Sequence, residues 1–362
     1  VFSLPMEGIL GNTGLLSWFK LLGIAILYFM LLCFLINKKA HDMLFENLKH
    51  SISIWFLLFI GWSLTSMTWA YEPSWTLQRV LTYCGLFVVM EAVALLEKED
   101  IIKAWWILFI AIIFTVPLGF IIPPPKEAIA ISGRFTSGGE DPNEYANLIV
   151  IAIGVVLFGF QRLWKKRGIL YIFMIYLLSI VNFFPILLSL SRTAIVNIIV
   201  IALFAIFFLK KIRMDVLKLA ILFIIISSSF IIFSTDFQEE LVGRVSSVWE
   251  VDSEYAWAGR FDIWRAAIIV FTEHPISGVG AGNFAYISPT ISYYAALQNI
   301  DREDEKGGVA HNIFFSVLSE TGVIGFILFC GLLISVYLAI LRIKKIEPDI
   351  SYGLTLGFIA YI

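Results

Sequence analysis

The feature that most constrains this chain is the recurrence of apolar runs long enough to cross a bilayer. A spanning helix needs about 20 apolar residues, because the hydrocarbon core is about 30 Å thick. Runs that meet this test lie at 15–36, 51–68, 77–96, 101–122, 144–160, 168–190, 192–209, 216–233 and 312–341, and another begins near 350. In lipid every backbone polar group needs a partner within the protein, so runs of this length are helices. A β-barrel would need short alternating strands, which the sequence lacks. The expected fold is therefore an all-α polytopic membrane protein. Composition agrees: hydrophobic residues make up 59% of the chain and charged residues 15%, outside the range of a soluble domain.

Lysine and arginine set the orientation. Lys38, Lys39 and Lys49 follow the first run, Lys98 and Lys103 surround the turn after the third, and Arg162, Lys165, Lys166 and Arg167 follow the fifth. Lys210, Lys211 and Arg213 follow the seventh, and Arg342, Lys344 and Lys345 the ninth. These are alternate loops, so they share one face, the cytoplasm. The segments 69–76, 123–143 and 234–311 are expected outside.

The expected organisation is a bundle of about eight spans over 1–233, an external domain over 234–311, and further spans over 312–362. Residues 1–14 read as an outside loop with no signal peptide, so at least one earlier span is expected, and the last span is cut at Ile362. Cys33, Cys84 and Cys330 all fall within apolar runs and read as small buried residues rather than as disulfide or metal ligands.

The chemistry concentrates on the outer side. Segment 234–311 holds five Arg/Lys against twelve Asp/Glu, so an arginine that works there works by local placement. Arg260 and Trp264 in GRFDIW stand four apart and share a face if the segment is helical. A guanidinium is always charged and grips phosphate oxygens in a bidentate fork, although most surface arginines simply pair with a nearby carboxylate. Arg192, in SLSLSRTAIV, sits where the sixth run turns back into the seventh. A helix-end arginine can snorkel, but on the outer face that runs against the charge bias. Arg79 lies one turn into the third span, and an intramembrane charge is a functional hypothesis by default. Arg134 stands in the Gly/Ser-rich loop SGRFTSGGEDPNEYAN. His311, in Ala310-His311-Asn312, borders the ninth run and is the side chain best suited to take a proton; a capping role is the plainer alternative. The tract SGVGAGNF follows no strand, so a dinucleotide fingerprint fails, and close backbone packing or a tight turn explains its glycines.

In order and spacing these pieces form a pattern. Ser191-Arg192 opens a span, G-R-x-x-x-W follows at 259–264, then H-P-x-x-G-x-G-x-G-N-F at 274–284, and A-H-N-x7-E-T-G-x-x-G at 310–325. The set resembles the O-antigen ligase and O-antigen polymerase family, most closely over 185–330 and more loosely around Arg79 and over Arg134 to Asn143. The resemblance implies a C-type membrane glycosyltransferase bundle in the bacterial inner membrane, with its active site in a periplasmic loop domain. The implied donor is a glycan on undecaprenyl diphosphate. The implied acceptor is lipid A–core or a growing glycan, with membrane lipids around the bundle and no nucleic acid. Arg192 and Arg260 match the family arginines that hold the diphosphate, and Arg79 and Arg134 are further candidates. His311 matches the histidine taken as base for the acceptor hydroxyl. Neither cofactor nor metal is called for.

Physical chemistry agrees with that reading independently. Positive charge at the lipid–water boundary stabilises a departing diphosphate, and a neutral base there frees the attacking hydroxyl, inverting the anomeric carbon. The alternative class is a polysaccharide or lipid transporter or flippase. Such proteins carry charged or broken-helix sites near the midplane, whereas ionisable groups here cluster at one outer face.

Overall fold

The computed structural model describes residues 38–121, 145–151, 192–208, 213–233, 257–300 and 308–361, with isolated positions elsewhere. Among the described residues every regular element is helical, apart from a 3-10 turn at Ser66–Thr68, and none is a strand. In chain order they are α1 (Lys38–Leu48), α2 (Ser51–Thr65), α3 (Pro73–Ala94), α4 (Lys98–Ile121), α5 (Arg192–Phe208), α6 (Arg213–Phe233), α7 (Trp257–Glu273), α8 (Phe284–Ile291), α9 (Tyr293–Ile300), α10 (Ile313–Ile346) and α11 (Pro348–Tyr361). Three of the described stretches, Ser51–Thr68, Pro73–Ala94 and Ile313–Ile346, are long and apolar enough to cross a membrane. The described residues are those of an all-α membrane protein.

The chain divides into two compact units. The first holds 96–238 and 337–362, with 1–25. Its core gathers Phe109, Ile112, Tyr145, Ile149, Ala194 and Leu356. Polar groups inside it are paired, as burial demands: Thr115 and Tyr145 share a hydroxyl bond at 2.7 Å, and Asn197 donates to Asn147 and to the Ala360 carbonyl. Lys98, at the start of α4, pairs with Glu347 in the turn after α10. Two basic turns assigned to one face by sequence therefore meet at one end of this unit.

The second unit holds 26–95 and 239–336. Here α2 and α3 form a hairpin. At its basic end, near Lys49, the Ser53 hydroxyl donates to the buried Glu91 carboxylate at 2.7 Å. At the other end the chain turns through 66–73, where Glu72 caps α3 by accepting from the Ser74 amide and Pro73 opens the helix. Helices α7, α8 and α9 build a small core from Ile263, Ala266, Ala267, Val270, Phe284 and Ala295, joined by Val279 of the loop between α7 and α8 and by Ala310 ahead of α10. The first four recur at helical spacing along α7, which is why that helix buries one face. Asp262, on the same helix, accepts from the Ser292 hydroxyl at 2.6 Å and holds the start of α9.

Candidate active site

The glycine tract between α7 and α8 interlocks with a break in α10. At Gly322 (φ 63°, ψ −169°) that helix leaves helical geometry, so the amides of Val323 and Ile324 lose their usual carbonyls at 319 and 320. The loop replaces both sides of each bond. Val323 and Ile324 donate instead to the carbonyls of Pro275 and Ile276, at 2.9 and 3.5 Å, while the amides of Val279 and Gly280 donate to the freed carbonyls of Ser319 and Glu320, at 3.1 and 2.9 Å. A third carbonyl, Thr321, accepts from the Trp62 indole at 2.9 Å. Such close approach explains the glycines. A Cβ on Gly278 (φ 66°) would stand 2.3 Å from the Glu320 carbonyl carbon, and one on Gly322 would stand 2.3 Å from the Ile276 oxygen. The tract is thus a backbone clasp, the close packing its composition suggests.

The same loop is tied to the α2–α3 turn. The Asn283 side chain accepts from the Glu72 amide at 2.6 Å and donates to the Thr76 hydroxyl at 2.9 Å, and the Ala281 amide donates to the Ser66 hydroxyl at 3.0 Å. Gly282 packs beside the Trp75 carbonyl and the Arg79 side chain. Its amide donates to the buried Glu320 carboxylate at 2.7 Å, the Phe284 amide also bonds that group, and Arg79 supplies the opposing positive charge. Arg79 itself is exposed. The sequence-predicted arginine thus lies beside the loop glycine whose amide holds this buried carboxylate. Glu320, the glutamate of the A-H-N-x7-E-T-G-x-x-G pattern, was given no role by sequence reasoning; its signals were that place in the pattern and a carboxylate inside an apolar run.

Across the unit, α7 reaches the segment that carries His311. The segment 257–273 is helical, so Arg260 and Trp264 lie one turn apart on one face. The Trp264 indole donates to the Ala310 carbonyl at 2.9 Å, and its ring stacks on Phe315 at 5.4 Å between centroids. Gly259 leaves room for the Tyr294 ring, which a Cβ would meet at 3.1 Å. Asn312 caps α10, its side-chain oxygen accepting from the amides of Phe314 and Phe315. Between the clamped Ala310 and this cap, His311 is exposed and adopts φ 49°, the only positive φ outside glycine among the described residues. A side chain in the left-handed region is uncommon and costs of order 1–3 kcal/mol, a strain that concentrates at functional positions. Arg260, half-buried, thus stands one helical turn from the tryptophan that pins the residue next to His311.

The remaining candidates fall elsewhere. Arg192 is the first residue of α5, in the first unit, preceded by Ser191, whose hydroxyl accepts from the Ala194 amide. Arg134 lies outside the described residues.

A strained histidine, a clamped helix bearing an arginine, and an arginine facing a buried carboxylate give this helical membrane protein the groups to handle an anionic substrate. Residues 177–330 match the family model described as O-Antigen ligase, so this segment is similar to the O-antigen ligase family. No curated protein matches the chain.

Proposed function

We propose that this protein is an inverting glycosyltransferase of the outer side of the inner membrane. It moves a glycan from undecaprenyl diphosphate to an acceptor sugar, as an O-antigen ligase or polymerase does. The observation that carries this reading is the Trp264 bond to Ala310, which couples the Arg260 helix to His311; the family match over 177–330 supports it. In the proposed reaction the His311 imidazole takes the proton of the acceptor hydroxyl. The hydroxyl oxygen attacks C1 of the donor sugar, and the C1–O bond to the diphosphate breaks. Undecaprenyl diphosphate leaves with the electron pair, its charge met by Arg260, Arg192, Arg79 and Arg134, so that guanidinium groups do the work a metal ion does in many phosphate-handling sites. The acceptor is lipid A–core for a ligase or the growing lipid-linked chain for a polymerase.

The test is reconstitution of the full chain in liposomes with lipid-linked glycan and each acceptor, with and without a chelator. Released undecaprenyl diphosphate together with a relocated or lengthened glycan, unaffected by chelator, is the expected result. Glycan crossing the bilayer with its diphosphate linkage intact would instead identify a transporter.

A further inference from the structure

Beside the glycine loop, four rings gather around the residues that flank Arg79. Tyr71 and Tyr286 lie nearly parallel, 6.4 Å between centroids and 26° between planes. Trp75 meets the Tyr286 ring edge-on at 5.7 Å, and His274 meets Tyr71 edge-on at 6.3 Å. Both tyrosines remain open to the surroundings, at 54% and 49% exposure. Trp75 precedes Arg79 by one turn of α3 and so shares its face, and both border Gly282. The group lies at the end of the α2–α3 hairpin away from Lys49.

We propose that Tyr71, Trp75, Tyr286 and His274 form a saccharide-stacking subsite, which takes the sugar nearest the diphosphate of the donor. A pyranose ring has an apolar C–H face and a rim of hydroxyls. Aromatic faces cover the first, while phenol hydroxyls and an imidazole offer hydrogen bonds to the second. One helical turn, about 5.4 Å, separates Trp75 from Arg79, which suits a sugar beside a phosphate. Interfacial aromatic belts also place tyrosine and tryptophan at this depth, but a belt spreads its rings outward to lipid. These rings come from two distant segments and turn toward each other, their positions fixed by the Asn283 bonds that tie the glycine loop to the start of α3. The subsite rests on the reading of Arg79 as a diphosphate ligand.

The experiment compares binding of two lipids to the full chain in nanodiscs: undecaprenyl diphosphate, and the lipid-linked glycan extracted from the organism's own membranes. Leucine at Trp75 and Tyr286 keeps apolar bulk at the interface but removes the rings. The Trp75→Leu/Tyr286→Leu variant is expected to bind the glycan-bearing lipid about tenfold more weakly and undecaprenyl diphosphate as before, which also shows that it is folded. Tyr286→Phe, which keeps the ring, should retain most of the glycan affinity. Equal weakening for both lipids, or no change for either, would overturn the subsite while leaving the donor reading intact. Wild-type protein that binds neither lipid would sink the donor reading and the subsite with it.

Discussion

At the scale of single residues, His311 is where chemistry and backbone conflict most. Its φ of 49° suits glycine better than histidine, so the two ways of removing the imidazole differ in a useful manner. His311→Gly relieves the strain and is expected to melt no lower than wild type, yet to lose on the order of 10²–10⁴ in transfer rate, as His311→Ala does. Both variants should keep donor binding and lose the ascending limb of the pH–rate profile. A glycine variant that turns over at the wild-type rate would reduce His311 to a turn residue. The arginines ask a different question. Lysine keeps the charge at Arg260 or Arg192 but not the bidentate fork, so each Arg→Lys change is expected to lower kcat/KM by tenfold or more in the liposome assay. The sequence made these residues visible because a guanidinium or imidazole at the outer edge of an apolar run is out of place. It gave Glu320 a place in the A-H-N-x7-E-T-G-x-x-G pattern but no role, since its partners are backbone amides of a loop nearly forty positions upstream.

Among the elements, the clasp between the loop at 275–280 and the break in α10 governs the site's shape. Gly278→Ala or Gly322→Ala would push a Cβ to within 2.3 Å of backbone atoms at a positive φ, and each is expected to cost about 3 kcal/mol or more. Gly85, exposed in α3, is the contrast, since a Cβ added there would meet nothing within 4 Å. Gly85→Ala should be neutral or stabilise by up to about 1 kcal/mol. Thermal midpoints in detergent separate the two cases. Equal midpoints for all three variants would mean that the clasp does not matter. Hydropathy found the run at 312–341, and α10 spans Ile313–Ile346; the glycine tract was legible as close packing. The break at Gly322 was not legible, since a glycine in an apolar helix carries no mark of the loop that will complete its hydrogen bonds.

For the whole molecule, the helical class followed from run length alone, and the apolar runs at 51–68, 77–96, 101–122, 192–209, 216–233 and 312–341 reappear as helices among the described residues. The second unit is less simple than a polar insertion between spans. Its helices α7–α9 share a unit with α2, α3 and the first part of α10, because their glycine loop is bonded to both. Orientation is the expectation to test at this scale. With alternate loops basic, a single cysteine at 298 in a background without Cys33, Cys84 and Cys330 should react with a membrane-impermeant maleimide from outside the inner membrane only. Labelling from the cytoplasmic side alone would invert the topology and move the site to the wrong compartment for a periplasmic acceptor.

The clasp also bears on the order in which the molecule is made. A ribosome delivers the glycine loop before the helix it completes, so the row of donors and acceptors at 275–280 is already present when Ser319 to Ile324 emerge. Were the order reversed, α10 would enter the bilayer with two amides and two carbonyls bare at its break, a state that lipid penalises by several kcal/mol for each group. As it stands, the late helix enters toward a waiting template, and the two parts of the site are brought together by biosynthesis itself.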